Sequence, residues 1–388
     1  MSQEHNKKLD IIIETKELAH ALFFANSIVE RRNVMSELSN IKLSVENNLL
    51  EIVAADTEMM LSQKIGANVH GEGMITVSTI LLIDIAKKIP DKEIKLTASD
   101  DSKVLEVIGQ TCNFSLCTLP VVQFPSMENI KTEVSLKIPC REFSKIIEHT
   151  QFSISSEETR YHLNGIYLHI EENKLIAAAT DGHRLSVSKL SLNSNTKEFG
   201  VILPRKTIIE IFKIVKDLKN INLDIEIFLS TTKVKFVCNN IIMISKLIDG
   251  TFPEYKAFIP ANSHNIFTVN SKHLQEAIGR VAIVTADKFR AIKISLSRDE
   301  VQITASGEAR GVAKETLNYS EEKACFCSYL GETNIVAGFN PQYILEVLNV
   351  LKNEIVEFHF DSSDSTSPVL IKVVDRHDDS FVIMPVKV

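Results

Sequence analysis

The sequence lacks the features of a membrane protein and of a disulfide-bonded secreted protein. None of its apolar runs approaches the ~18 residues that a membrane-spanning helix needs. The first residues, MSQEHNKK, are polar, and no apolar core of a signal peptide follows them. The six cysteines are scattered, and none forms a pair with the spacing of a metal site. These absences predict a cytoplasmic protein with reduced thiols.

Motifs of common catalytic and nucleotide-binding sites are also absent. There is no G-x-x-x-x-G-K-[ST], G-x-G-x-x-G, H-E-x-x-H or G-x-S-x-G segment. Asp181-Gly182-His183-Arg184 is the best candidate for chemistry, because a His near an Asp could form an acid–base pair or half of a metal site. Adjacent strand residues point to opposite faces, however, and no second His or Cys cluster completes a site. We therefore expect a protein without catalytic residues, cofactor or metal.

What the chain does contain is a threefold repeat. Residues 41–65 read IKLSVENNLLEIVAADTEMMLSQKI, residues 166–190 read IYLHIEENKLIAAATDGHRLSVSKL, and residues 292–317 read IKISLSRDEVQITASGEARGVAKETL. The starts lie 125 and 126 residues apart. A period of domain size indicates tandem domains rather than a solenoid of short units. The predicted domains cover residues 1–129, 130–262 and 263–388.

Each copy reads as helix, strands, helix, strands. The strand blocks alternate apolar and polar residues, and the helical stretches have a period of 3.6, as in Ile208, Ile211, Phe212 and Val215. Pro204 is expected just inside its helix. The fold class is α+β, with antiparallel sheets and two helices per copy on one side. The predicted helical stretches are 14–30, 78–89, 139–152, 204–219, 270–285 and 340–352.

Charge is distributed unevenly between the predicted helices and the rest of the chain. The net charge is −7, which argues against generic nucleic-acid binding. The six helical stretches, with the first extended to residue 32 and the second to residue 90, carry +5 in total, and the remainder carries −12. If the helices share one surface, that surface suits a polyanion. Solvated helix faces with ordinary lysine content explain the same numbers.

Two other classes of protein stay open on the residues alone. A ligand-binding enzyme would need a polar constellation within one copy, and no such constellation is evident. A three-domain protein-interaction scaffold that does not act on DNA fits the repeats, although it leaves the basic helices unexplained. The oligomeric state would help to separate these classes.

Several segments together resemble one bacterial family, the DNA polymerase III beta subunit or sliding clamp. They are ATDGHRL at 179–185, RYHLNG at 160–165, SKLIDG at 245–250 with FPEY at 252–255, DKFR at 287–290, and Met384-Pro385. The resemblance runs over essentially the whole chain in the order of the family. It implies a head-to-tail homodimer that forms a closed ring of six similar folds, with helices lining the hole and sheets outside.

The resemblance also implies function and partners. The chain would encircle double-stranded DNA without reading sequence, and would tether the replicative polymerase for processivity, with no catalytic site of its own. The clamp loader and other proteins with clamp-binding linear motifs would share one pocket. The DNA-facing positions that match the family are Arg32, Lys87, Arg160, Tyr161, His162, Arg205 and Lys206.

The partner-peptide pocket implied by the resemblance lies between the second and third copies. Ala257 and Phe258 stand where the family frequently has a basic and an aliphatic residue. The implied dimer joint brings Phe114 and Leu116 of one chain to Ile283 and Val284 of the other. The matching pocket positions are Leu163, Thr180, Gly182, His183, Arg184, Leu185, Pro253, Asn340, Tyr343, Val382, Met384 and Pro385.

Overall fold

The structure, a computed structural model, has six α-helices and 26 β-strands in the part of the chain that it describes. That part comprises residues 8–29, 39–99, 103–119, 121, 124, 130–193, 196–218, 222–261, 263–285, 291–307, 310–331, 333–360 and 366–387. No helix within it is long and apolar enough to cross a membrane.

The six helices lie where the period of 3.6 predicts them. Asn270 begins α5 by accepting hydrogen bonds from the amides of Lys272 and His273, and Asn340 begins α6 by accepting one from the amide of Gln342. Pro204 is the last residue of a strand rather than the first residue of α4, and its place on an edge strand tolerates the missing N–H. The helices are α1 (Thr15–Ile28), α2 (Thr79–Lys88), α3 (Cys140–Glu148), α4 (Arg205–Leu218), α5 (Ser271–Val281) and α6 (Pro341–Val350).

Every described strand ladder is antiparallel, as the sequence predicts. The strands are β1 (Asp10–Glu14), β2 (Asn40–Glu46), β3 (Leu49–Ala55), β4 (Met59–Gly66), β5 (Asn68–Gly71), β6 (Gly73–Ser78), β7 (Glu93–Ala98), β8 (Val104–Ile108), β9 (Asn113–Leu119), β10 (Val134–Pro139), β11 (Gly165–Glu171), β12 (Lys174–Thr180), β13 (Arg184–Ser191), β14 (Phe199–Pro204), β15 (Asp224–Leu229), β16 (Lys233–Cys238), β17 (Ile241–Lys246), β18 (Asn265–Asn270), β19 (Ile292–Leu296), β20 (Glu300–Gly307), β21 (Gly311–Asn318), β22 (Cys327–Leu330), β23 (Ile335–Phe339), β24 (Ile355–Phe360), β25 (Val369–Val373) and β26 (Asp379–Ile383).

The chain divides into two compact units. The first comprises residues 1–144 and 206–247, and it contains a 13-stranded sheet in the order β10-β15-β16-β17-β4-β3-β2-β6-β9-β8-β7-β1-β5. The second comprises residues 145–205 and 248–388, with a nine-stranded sheet, β14-β11-β12-β13-β26-β25-β24-β18-β22, and a four-stranded sheet, β21-β20-β19-β23. This division does not follow the predicted domain boundaries, which stay a prediction.

The three repeated blocks form equivalent hairpins: β2 with β3, β11 with β12, and β19 with β20. In the first two hairpins both turn residues have positive φ, at 52° and 60° for Asn47 and Asn48 and at 49° and 58° for Glu172 and Asn173. Such two-residue turns match the twist of the paired strands. Helix α1 packs against α2, and α5 packs against α6. Buried aliphatic and aromatic side chains fill the space between helices and sheets.

Candidate functional site

The second unit contains an apolar cavity of about 180 Å³. Strands β12, β13 and β26 supply part of its wall through Thr180, Leu185 and Val382. Because β13 pairs with β26, Leu185 lies directly opposite Val382 in the ladder. Eight of the twelve residues predicted for the pocket line this cavity: Leu163, Thr180, Gly182, Arg184, Leu185, Pro253, Val382 and Met384.

The turn between β12 and β13 shapes one edge of the cavity. Asp181 Oδ1 accepts hydrogen bonds from the amides of His183 (2.9 Å) and Arg184 (3.1 Å), and Thr180 Oγ1 accepts one from the amide of Gly182 (3.1 Å). Gly182 has a φ of +88°, a backbone conformation that residues with a side chain rarely adopt. A Cβ atom there would lie 2.9 Å from Nη1 of Arg160. The positive φ is therefore what makes this turn favour glycine, because the guanidinium of exposed Arg160 can move aside.

Arg184 connects this turn to α6. Its guanidinium donates to Asp181 Oδ2 at 3.0 Å, and also to Glu346 and to the carbonyl oxygen of Phe152. It also lies over the ring of Tyr343, 4.4 Å from the centroid, where a cation–π contact is favourable. With its hydrogen bonds directed to protein groups, Arg184 holds the cavity wall in shape.

The segment after β26 closes another side of the cavity. The amide of Met384 donates to the carbonyl oxygen of His183 (2.8 Å), and the amide of Val386 donates to that of Gly338 (2.9 Å). These two hydrogen bonds fix the backbone on both sides of Pro385. The side chain of Met384 is thereby kept at the wall of the cavity, although it is partly exposed to solvent.

Tyr255 and Phe258 also line the cavity, and neither was among the predicted pocket residues. They begin and end a 3-10 helix, Tyr255–Phe258. The segment FPEY gave a signal for Tyr255, because Phe252 and Pro253 were already part of the resemblance. Phe258 gave a different signal, as an aromatic residue at a frequently aliphatic position.

A second cavity, of about 330 Å³, shares Pro253 and Tyr255 with the first and is more polar. Its wall includes His169, whose ring is stacked on Tyr167 at 4.5 Å and whose Nε2 lies 3.2 Å from the hydroxyl of Tyr255. Burial lowers the pKa of His169 to about 4 and raises the pKa of Tyr255 above its usual value. Both side chains are therefore neutral at pH 7.

The remaining predicted pocket residues lie around the cavity without lining it. His183 is an exposed turn residue and Asn340 caps α6. The ring of Tyr343 lies under the guanidinium of Arg184 in a cation–π contact, and Pro385 follows Met384 in the segment after β26. Their role in binding stays a prediction.

The predicted DNA-facing cations differ in what they already contact. Lys87, at the end of α2, and Arg205, the first residue of α4, are exposed. Lys206 is instead directed into the first unit, where its ammonium pairs with buried Asp56 and donates to the carbonyl oxygen of Ile28 at 3.3 Å. Its ammonium therefore already has partners within the protein.

The predicted contacts of RYH at 160–162 fall on a 3-10 helix, Glu158–Leu163. Arg160 and Tyr161 are exposed, and His162 is half-buried. Arg160 pairs with Glu157 (Nε to Oε2, 3.3 Å), and its Nη1 lies near Gly182, one of the residues that line the apolar cavity. Arg32 and the segment 287–290 lie outside the described residues.

The predicted joint residues are divided between exposed and buried positions. Phe114 and Ile283 are exposed, whereas Leu116 is buried and Val284 packs against the core of the third copy. Phe114 lies on β9, which pairs with β8 at residues 113–117 and with β6 at Thr118 and Leu119. Strand β21, which pairs only with β20, is an edge of its sheet. Both strands thus leave backbone groups unpaired within their own unit.

No group of three or more His, Cys, Asp or Glu side chains in the described part of the chain is arranged to hold a metal ion. Among those residues, Asp181 and His183 form no acid–base pair, because Asp181 accepts from backbone amides and from Arg184. The Asp-Gly-His-Arg segment is thus a structural turn.

Three family models match the chain in sequence order. They describe the N-terminal, central and C-terminal domains of the DNA polymerase III beta subunit, and match residues 9–128, 137–254 and 256–387. Together they cover nearly all of the chain.

Full-length relatives agree with these matches. A beta sliding clamp from Rickettsia bellii is 54% identical, and one from Caulobacter vibrioides 34%, each covering 98% of this chain and 100% of the relative. Among solved structures, a sliding clamp from Bartonella birtlesii bound to griselimycin aligns with a TM-score of 0.89 at 30% identity, again over 98% of this chain and 100% of the other. The repeat, the antiparallel fold and these relatives lead to one conclusion: the chain belongs to the DNA polymerase III beta subunit family, the beta sliding clamps.

Proposed function

We propose that two copies of this chain close head to tail into a ring around duplex DNA and hold partner proteins on it. As a member of its family, the chain works with DNA and DNA polymerase as a processivity factor without a catalytic site. The observation that carries the ring is the threefold repeat, with one family domain matched to each copy. Two chains then supply six similar folds around a rod. The alternative scaffold that does not act on DNA is not favoured by these relatives.

The proposed DNA contact is electrostatic and independent of sequence. Lys87 and Arg205 are the best supported contacts, because both are exposed at helix ends. Arg160 and Tyr161 are exposed on a different segment, and His162 and Arg32 remain proposed contacts by resemblance. Weak attraction to the phosphate backbone of DNA suits sliding, because strong contacts to base edges would hold the ring at one sequence. The protein would act in the cytoplasm on the nucleoid.

The proposed partner site is the apolar cavity of the second unit. Its apolar floor suits aliphatic or aromatic anchors of a linear motif, and the fixed backbone around Gly182 and Met384 lowers the cost of binding. The structures of relatives bound to griselimycin support a ligand-binding groove in the family. The replicative polymerase and the clamp loader are the proposed partners.

The proposed homodimer joins residues 113–117 of β9, which pair with β8 on one side only, to the free edge of β21. Phe114 and Ile283 would supply exposed apolar contacts beside the joined strands. New backbone hydrogen bonds would satisfy groups that are unpaired within each unit.

The decisive experiment is retention on DNA of different topology. The protein is loaded by the clamp loader onto nicked circular DNA, and bound protein is separated by gel filtration at moderate salt. We expect retention on the circle and release after a restriction enzyme makes the DNA linear. Equal retention on circular and linear DNA would exclude the ring and leave ordinary adhesion to DNA.

A further inference from the structure

We propose that Cys140 and Cys238 are an oxidation site, where a small peroxide converts the two thiols to a disulfide that stabilises the first unit. The two Sγ atoms lie 3.2 Å apart, and the residues are 0% and 1% exposed. Both cysteines are free thiols in the structure. The sulfurs of a disulfide lie about 2.05 Å apart, so the pair has to close by roughly 1.2 Å. The inference does not depend on the proposed function.

The fold brings together these two sulfurs from residues 98 positions apart in the sequence. Cys140 follows β10 as the first residue of α3, and Cys238 is the last residue of β16. Strand β15 lies between β10 and β16, which places those two strands about 9–10 Å apart. Asp224, the first residue of β15, pairs with Pro139, and its carbonyl oxygen is 4.0 Å from the Sγ of Cys238. The sulfurs therefore meet over this end of β15, where a disulfide would join α3 to β16.

Other contacts already hold α3 on this sheet. The ring of Phe143, on α3, lies against the ring of Phe236, on β16, with centroids 5.9 Å apart, and both side chains are buried. The amide of Cys140 donates to the carbonyl oxygen of Leu223 at 2.9 Å. The two elements therefore stay packed while the sulfurs are still reduced, and bond formation needs no rearrangement of the unit.

The state of each thiol sets the order of the reaction. Burial raises the pKa of both thiols, whereas a hydrogen bond from the Cys238 thiol lowers the pKa of Cys140. Because the thiolate is the nucleophile, Cys140 reacts first. Its sulfur attacks one oxygen of the peroxide, the O–O bond breaks, and the departing hydroxide takes up a proton to become water. Cys140 is then a sulfenic acid.

The second step consumes that sulfenic acid. The Cys238 thiolate attacks the sulfur of Cys140 and displaces a second hydroxide, which also becomes water. In total, two thiols are oxidised to one disulfide, and one molecule of hydrogen peroxide is reduced to two of water. Burial of both sulfurs makes this oxidation slower than at Cys325, which is partly exposed.

The disulfide stabilises the first unit by restricting the unfolded chain. It closes a loop of about 100 residues, and long loops lose more conformational entropy on cross-linking than short ones. We expect the oxidised protein to melt about 4–10 °C above the reduced protein.

The test treats the full-length protein with hydrogen peroxide, removes the excess with catalase and alkylates the remaining thiols. Proteolysis without reductant and mass spectrometry then identify linked cysteines, and thermal melting is measured on the same samples. We expect linked peptides that contain Cys140 and Cys238, two hydrogens lighter than their sum, and a rise in melting temperature that dithiothreitol reverses. Cys140→Ala should lose both the link and the rise.

A matched control is Cys327→Ala, which removes another buried cysteine, in the second unit. This variant should keep the link and the rise in melting temperature. If no link forms at a dose that oxidises Cys325 completely, the two sulfurs do not react as a pair and the proposal is wrong. A link without a rise in melting temperature would overturn the stabilising role.

Discussion

Lys206 has one role expected from the sequence, contact with DNA, and a different one in the structure, an ion pair with Asp56. As a sequence, Arg205-Lys206 at the start of a helix matches DNA-facing positions of the family. In the structure only Arg205 is free to face a ligand, because the Lys206 ammonium neutralises Asp56, whose other oxygen accepts the amides of Glu58 (2.7 Å) and Met59 (2.6 Å). Sequence spacing could not reveal that contact, since 150 residues separate the two partners.

We therefore expect Lys206→Met to lower the free energy of unfolding by about 1–2 kcal/mol. Removing the ammonium leaves a buried carboxylate partly uncompensated, and the partial exposure of Lys206 limits the loss. Arg205→Met, at the neighbouring exposed position, should change stability by less than about 0.5 kcal/mol. Urea denaturation of both variants is the measurement. Equal stability of the two would contradict the assignment of Lys206 to the fold.

His169 gives a second expectation at this scale, for the dependence of stability on pH. Its folded pKa of about 4 lies below its usual value of 6.5, so the unfolded chain binds the proton more tightly. The stabilisation is complete above pH 6.5 and is lost as the pH falls towards 4. The shift corresponds to about 3 kcal/mol as an upper limit.

His169→Gln should flatten this pH profile, because Gln can still bond the hydroxyl of Tyr255 but does not titrate. Guanidinium denaturation at pH 7 and pH 4.5 would compare the two proteins. The other histidines are common to both, so the difference between the profiles isolates His169. Parallel profiles would show that His169 is protonated equally in the folded and unfolded states.

At the scale of elements, local patterns determined most of what could be predicted. The period of 3.6 located all six helices within a few residues, because each has one buried face. The repeated blocks gave the hairpins, because the turn residues and alternation are local. The pairing of β13 with β26, and the 3-10 helix that presents Tyr255 and Phe258, depend on contacts between distant residues. Only the family resemblance pointed to those parts of the site.

The unpaired side of residues 113–117 in β9 and the edge strand β21 lead to an expectation about the proposed dimer. Ile283, a residue of the proposed joint, is 74% exposed, whereas Val284 packs against its own core. Ile283→Ala should weaken dimerisation tenfold or more without lowering the stability of the fold, since each joint then buries fewer aliphatic groups. Val284→Ala should instead lower the melting temperature. Analytical ultracentrifugation and thermal melting of both variants would separate the effects, and an unchanged dimer for Ile283→Ala would place the joint elsewhere.

At the scale of the whole molecule, net charge and charge distribution predict opposite behaviour. A chain of net charge −7 should avoid DNA, yet its predicted helices are basic. Binding should therefore be weak, insensitive to base sequence and steeply reduced by salt, with about 0.9 counterions released for each phosphate contacted.

Arg205→Gln should reduce the slope of log affinity against log salt by about one for each phosphate that the side chain no longer neutralises. Lys174→Gln, at an exposed position on β12, removes the same charge from a strand and should leave the slope unchanged. DNA titrations between roughly 50 and 200 mM salt would measure both slopes. A marked preference for one DNA sequence at fixed salt would contradict the proposal.

The pairing of β13 with β26 also has a consequence in time. During synthesis, Leu185 leaves the ribosome long before Val382 and Met384, which form the other side of the same cavity. With about 200 residues between them and about 5–20 residues added per second, the delay is roughly 10–40 s. A nascent chain can complete the 13-stranded sheet of the first unit during that interval, but its cavity still lacks the wall that β26 supplies. On the proposed function, a partner protein can therefore bind this cavity only once translation has passed β26.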